Sequence, residues 1–180
     1  MRQAALELFA SQGFETTTTE EIAERAGVSV RTFFRYFPTK ELVLFFGRYD
    51  FNQAVLDEYL RQPKSSSDLA AMRAAYIASA PGLADRRKAL RLYERAVASS
   101  PMLRGSEQDR QIADINTIAK AVATRRGLAE PDEQCSLLGA ICLMTYRRAL
   151  GRWLAGAASS DFAEAVADEF DLLEGLLGDA

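Results

Sequence analysis

Apolar residues recur along this chain at three- and four-residue intervals almost from end to end, with no alternating strand pattern. That periodicity predicts helices throughout. The first helix runs from about Arg2 to Ser11, with Leu6, Phe9 and Ala10 on one face, and stops at Gly13. Thr18, with Glu21 three residues on, has the form of a capping box and opens a short helix through Ala26. Gly27 ends it, as a residue tolerant of positive φ can. Ser29 caps a third helix running to about Phe37, which Pro38 stops, and Thr39 starts a long fourth one to about Gln62.

The polar stretch "RQPKSSSD" then separates an N-terminal unit from a larger body with helices at about 68–79, 83–99, 102–127, 132–156 and 160–178. Breaks are predicted at Pro81-Gly82, at Pro101, at "GLAEPD" and at "GAASSD". The last helix carries a stripe of Phe162, Val166, Phe170, Leu173 and Leu177, with acids on its other side. The fold class is therefore all-α.

Charge changes this picture locally. The net charge is -3, yet Ser29 to Lys40 holds three cations (Arg31, Arg35, Lys40) and no acid, while Asp161 to Ala180 holds seven acids and no cation. The chain has no histidine, which removes the commonest general base and metal ligand. It also lacks a Gly-rich phosphate loop and a Cys/His cluster, so neither an enzyme nor a bound cofactor or metal is expected. No run approaches the ~18 apolar residues of a membrane span, and no charged-then-apolar leader opens the chain, so a cytoplasmic protein is expected. Cys135 and Cys142 share one predicted helix, about 10 Å apart at 1.5 Å rise per residue, too far for a bridge within it. They read as buried thiols, with an intersubunit disulfide as the alternative.

The segment "GVSVRTFFRYFPTKEL" concentrates this chemistry. At about 100° per residue, Val30, Phe33, Phe34 and Phe37 fall on one apolar arc. Arg31, Thr32, Arg35 and Tyr36 fall on the opposite one. Arginine can bridge O6 and N7 of guanine or pair with phosphate. Threonine can bond a base edge and touch a thymine methyl, while Tyr36 and Lys40 suit phosphates. Thr17, Thr18 and Lys40 lie beside predicted helix N-termini, which attract anions. Spacing alone also allows the arginines merely to solvate a helix.

Residues 4–45 as a block, with "AALELFA", the Gly-Phe turn at 13–14, "TTTTEEIAERAGVS" and "TFFRYFPTKE", resemble the DNA-binding domain of the TetR family of transcriptional regulators. The resemblance implies a helix-turn-helix domain over 1–45 and a helical effector-binding and dimerisation domain over 46–180. It assigns recognition contacts to Val30, Arg31, Thr32, Arg35 and Tyr36, with support from Thr17, Thr18 and Lys40. Family members often have tyrosine where this chain has Phe34, which lies at the edge of the core arc and is expected to pack there.

The apolar arc of helix 132–156 is wider than one neighbour needs, and with the last helix it is expected to build a homodimer interface. The residues are Leu137, Ile141, Met144, Trp153, Phe162, Val166, Phe170 and Leu173; an intramolecular core is the alternative. A two-fold dimer also suits reading two half-sites about 34–36 Å apart. "SSPMLR" and "RRALGRWLAG" resemble the mycofactocin-type regulator subgroup, implying an acyl-CoA-like effector. Tyr93, Asn116 and Tyr146 are candidates to orient it, or core residues with satisfied polar atoms; the basic run Arg86, Arg87, Lys88, Arg91 and Arg95 reads as a solvated face or an anion-headgroup site. The function expected is a homodimeric, ligand-responsive repressor of a double-stranded DNA operator. A helical small-molecule carrier, or an activator, is the alternative.

Overall fold

The structure, a computed structural model, describes residues 1–45, 48–157 and 159–178. These form eleven helices and no strand. Contacts divide the chain into two compact units: Met1–Tyr49 with Arg86–Asp109, and Asp50–Asp85 with Arg110–Ala180. The sequence reading separates 1–45 from 46–180; the contacts instead gather 86–109 with the N-terminal helices.

In the first unit, α1 (Arg2–Gln12) buries Ala5, Leu6 and Phe9 and ends where Gly13 takes φ 94. Helix α2 (Thr19–Arg25) opens on the expected capping box. The Glu21 N–H donates to Thr18 Oγ1 at 3.2 Å, and the Thr18 N–H donates to Glu21 Oε2 at 2.8 Å. Gly27, at φ 66, closes α2. The Val28 N–H reaches the Ala23 carbonyl and the Gly27 N–H that of Glu24, both at 3.0 Å. This paired pattern uses up carbonyls that a helix end otherwise leaves orphaned.

Helix α3 (Val30–Tyr36) begins at Ser29, whose hydroxyl accepts the Thr32 N–H at 3.1 Å. It stops at Phe37, which is extended as a residue before proline prefers. The fourth helix starts later than expected: the chain bends at residues 38 and 39 and turns at 40 and 41, Thr39 Oγ1 accepts the Leu42 N–H at 3.4 Å, and α4 covers Leu42–Phe45. Helix α5 covers Arg48–Arg61, and the expected continuity through residues 46 and 47 lies outside the described residues.

Helices α6 (Asp68–Ser79), α7 (Pro81–Ala84), α8 (Arg87–Ser99), α9 (Pro101–Arg126), α10 (Glu133–Ala155) and α11 (Phe162–Gly178) complete the chain. Pro81 and Pro101 open helices rather than only breaking them, since proline has no N–H to lose in the first turn. The predicted helix at 83–99 is therefore two pieces. Phe9, Phe14, Phe33, Phe37, Val43 and Leu44 share one core with Tyr93, Ala96, Val97 and Leu103 of α8 and α9, which is why 86–109 belongs to the first unit. Ser100 adds a polar tie: its hydroxyl donates to Glu15 at 2.5 Å and accepts the Leu103 N–H at 3.3 Å.

The second unit is built on α6, α10 and α11. Tyr146 stacks on Tyr76, ring centroids 4.9 Å apart, with Phe51 and Phe162 around it. Gly139 lets α9 and α10 approach closely, because a Cβ there would lie 2.8 Å from the Ile115 carbonyl oxygen. Tyr59 donates to Asp68 at 2.7 Å. Arg125 is buried and donates to the carbonyls of Gln62, Pro63 and Ser66, fixing the loop into α6. Both cysteines are free and buried, and burial pushes the Cys142 thiol up to about 12.

This core corrects part of the expected dimer face. Trp153, Phe162, Val166 and Phe170 are buried within the chain itself, so they serve its own packing. Leu137 and Met144 stay exposed, with Leu172, Leu176 and Leu177 of α11. Ile141 and Leu173 are half-buried.

Candidate nucleic-acid interface

The three N-terminal helices follow the helix-turn-helix order, with the Gly27 turn setting α3 off from α2. Helix α3 has only two turns, so its hold on the domain comes from packing rather than from helix propensity. Phe33 is fully buried and Phe37 nearly so, their centroids 5.6 Å apart, and half-buried Val30 packs against the same core. These anchors fix which way the remaining side chains point.

Arg31, Arg35 and Tyr36 are exposed. The Arg35 guanidinium lies over the Tyr36 ring, 5.0 Å from its centroid. Such stacking holds the guanidinium out along the helix surface without consuming its donors on an acid. Among the described residues no ion pair forms at Arg31 or Arg35. Thr32 is half-buried, and its hydroxyl lies 2.9 Å from that of Ser29. Thr18 is exposed at the start of α2, but its oxygen already caps that helix. The backbone N–H of Thr18, followed by Gln12, holds the Glu21 carboxyl below its ordinary value.

Two expected contact residues have other work. Thr17 is 1% exposed, and its hydroxyl donates to the Gly13 carbonyl at 2.7 Å. Lys40 Nζ donates to the carbonyls of Phe14, Thr17 and Glu15 at 2.7, 2.9 and 3.3 Å, and lies 4.4 Å from the Phe14 ring centroid. An ammonium has three protons, so Lys40 is spent pinning the turn between α1 and α2 and leaves none for a phosphate. Phe34, expected to pack, is instead 47% exposed, with its ring edge-on to Phe33 at 5.5 Å. Its place at the margin of the apolar arc gives its direction but not how far the core covers it.

Of the candidate effector residues, Tyr93 belongs to the first unit, and Asn116 and Tyr146 to the second. Tyr93 is buried in the first unit, donating to the buried Glu107 and packed edge-on against Phe45. Asn116 is exposed on α9. Tyr146 is half-buried in the aromatic stack of the second unit. Sequence reasoning missed Tyr76, which is buried against Tyr146, and the Asn52–Asp114 hydrogen bond of 3.1 Å between α5 and α9. Neither pair has a local sequence signature. Of the basic run on α8, Arg86, Lys88 and Arg95 are exposed and Arg87 and Arg91 half-buried. Among the described residues there is no cluster able to hold a metal ion, and no helix is long and apolar enough to cross a membrane.

Two family models match the chain. That of bacterial regulatory proteins of the tetR family covers residues 2–45, and that of the MftR C-terminal domain covers residues 53–178. A Mycobacterium tuberculosis protein assigned as the mycofactocin biosynthesis transcriptional regulator MftR is 29% identical over 94% of this chain and 85% of its own length. The transcriptional regulator TcmR of Streptomyces glaucescens is 43% identical over 72 residues, which span 40% of this chain and 32% of TcmR. Among solved structures, the transcriptional repressor FadR of Thermus thermophilus, in complex with lauroyl-CoA, superposes with a TM-score of 0.62. That similarity carries 27% identity and covers 96% of this chain and 90% of FadR.

Proposed function

Because the chain belongs to the tetR family of bacterial regulatory proteins, which are transcriptional regulators and not enzymes, we propose that it is a homodimeric repressor acting in the cytoplasm. It binds a pseudo-palindromic operator and leaves it when a small effector enters the helical body. The observation that carries this reading is the outer face of α3. Arg31, Arg35 and Tyr36 stand exposed there, none paired with an acid among the described residues, on a helix anchored by Phe33 and Phe37. The two arginines reach base edges, Tyr36 reaches phosphate, and Val30 and Thr32 make the closest apolar and hydroxyl approach at the base of the helix.

Dimerisation is supported by the apolar surface left on α10 and α11, where Leu137, Met144, Leu172, Leu176 and Leu177 remain exposed. Single exposed leucines are ordinary, but this many on two paired helices fit a self-complementary interface. An acyl-CoA-type effector is supported by the lauroyl-CoA bound to the Thermus FadR and by the apolar, aromatic character of the second unit at Tyr76, Tyr146 and Phe51. Effector binding acts through a difference in affinity between the operator-bound and released conformations.

The test is binding to DNA upstream of the protein's own gene across a salt series. A specific dimer loses affinity steeply, with log K falling by about 0.9 per log unit of salt for each phosphate neutralised. Lauroyl-CoA added to the complex should release it. No binding at any salt sinks the regulator reading. A monomer at micromolar concentration by ultracentrifugation sinks the dimer.

A further inference from the structure

We propose that Phe34 is a specificity-determining residue whose ring reads the C5-methyl group of a thymine in each operator half-site. The proposal rests on the reading that α3 enters the major groove. It begins from an imbalance on that helix. Phe33, Phe34, Tyr36 and Phe37 are four rings in five positions, and the two that hold the helix, Phe33 and Phe37, are buried. Phe34 is 47% exposed although it is wholly apolar and already touches Phe33 with one edge. The rest of its ring faces water in the free protein.

Its direction identifies the occupant. At about 100° per residue Phe34 lies between Val30 and Arg31, and on the side from which Arg35 also projects. The ring therefore sits on the border of the apolar arc, against Phe33 on one side and beside the cationic face on the other. Duplex DNA offers few apolar groups to such a face. The thymine methyl is the one that the major groove displays, and side chains that read it are apolar. The arginines bring the helix to the duplex, and Phe34 adds a preference that neither charge nor hydrogen bonding supplies.

The probe is the tightest duplex that the wild-type dimer selects from a randomised pool, with each thymine replaced singly by deoxyuridine, which removes only the methyl. Wild-type affinity should fall about fourfold at one thymine per half-site, the value of one CH2 taken from water. Phe34→Ala should bind the thymine and deoxyuridine duplexes equally, and Phe34→Leu should keep part of the discrimination. Melting curves establish that the variants are folded, and Phe34→Leu decides the matter if Phe34→Ala is not. A wild-type protein indifferent to every replacement overturns the proposal. So does a Phe34→Ala variant that keeps the fourfold penalty while losing affinity on all duplexes alike, because the ring then rests on the backbone. If the wild-type protein selects no duplex, the DNA reading itself fails, and that result is distinct from either of the others.

Discussion

Arg31 and Arg35 on α3, and Arg148 and Arg152 on α10, are two arginine pairs with the same spacing of four residues and with exposed side chains. Their surroundings divide them. Arg148 Nε and Arg152 Nη1 donate to opposite oxygens of Glu169 at 2.8 and 2.9 Å, and that carboxylate is 3% exposed on α11. Burial opposes its charge, but the hydrogen bonds from Arg152 and Arg148 outweigh burial and hold its carboxyl below the ordinary value. The first pair meets no carboxylate among the described residues, and one member leans on Tyr36 instead. Spacing is silent about this difference. What decides it is whether a neighbouring helix brings an acid, and that separates a clamp from a face kept open for an anion.

The largest expected effect breaks the comparison on the α3 side. Arg35→Ala should cost about 1–3 kcal/mol of DNA affinity per half-site and relax preference at one base pair. Its effect on folding should stay within about 0.5 kcal/mol, as for a surface change. A uniform loss over all sequences would make Arg35 a phosphate contact instead. On the α10 side the signs reverse. Replacing both Arg148 and Arg152 by alanine leaves Glu169 buried without its partners, and the melting temperature should fall by roughly 5 °C. Operator affinity of the folded fraction should hold. If Arg35→Ala and the Arg148/Arg152 double variant behave alike in either assay, the division between clamp and open face is wrong.

How much of this was legible from the residues depended on how far each side chain reaches. The capping box at Thr18 and Glu21, the Gly27 turn and the Ser29 cap close within three to five residues, and all stand where the sequence puts them. The faces of α3 were legible for the same reason, since helical period is local. The exposure of Phe34 is not legible, because an arc gives direction but no depth of cover. The inward hydrogen bonds of Lys40 are not legible in the sequence, because the carbonyls lie 23 to 26 residues earlier in the chain. Trp153 and Phe170 belong to a true apolar stripe, but a stripe does not say whether the covering helix is the chain's own or a partner's. Tyr93 looked like a body residue until packing placed 86–109 with the N-terminal helices.

Lys40 supplies a smaller test of what an anchored cation does. It sits beside the proposed DNA face, yet its donors point inward to Phe14, Glu15 and Thr17. Lys40→Met should lower stability by about 2 kcal/mol, in the range for hydrogen bonds to a charged group. The salt slope of DNA binding should change little. If the slope instead drops by about one per half-site with stability intact, Lys40 is a phosphate contact and the pinned geometry is not what operates on DNA.

The smallest effect is a pH dependence confined to the clamp. Because the folded Glu169 carboxyl titrates below its ordinary value of 4.5, its contribution to stability is complete above about pH 4.5. That contribution is lost as pH falls through the lowered folded value, where the native state must also take up the proton. Glu169→Gln removes the charge while keeping an oxygen for one arginine. In urea titrations the wild-type protein should therefore be the more stable at pH 7, and the gap between the two should narrow as the pH falls below 4.5 and through the lowered folded value. Other carboxyls held low, including Asp68 and Glu7, make both proteins lose stability in acid, so only the difference is informative. A gap that stays constant from neutral to acid would mean that Arg148 and Arg152 hold Glu169 by shape alone. The pair would then differ from Arg31 and Arg35 in packing, and no longer in charge.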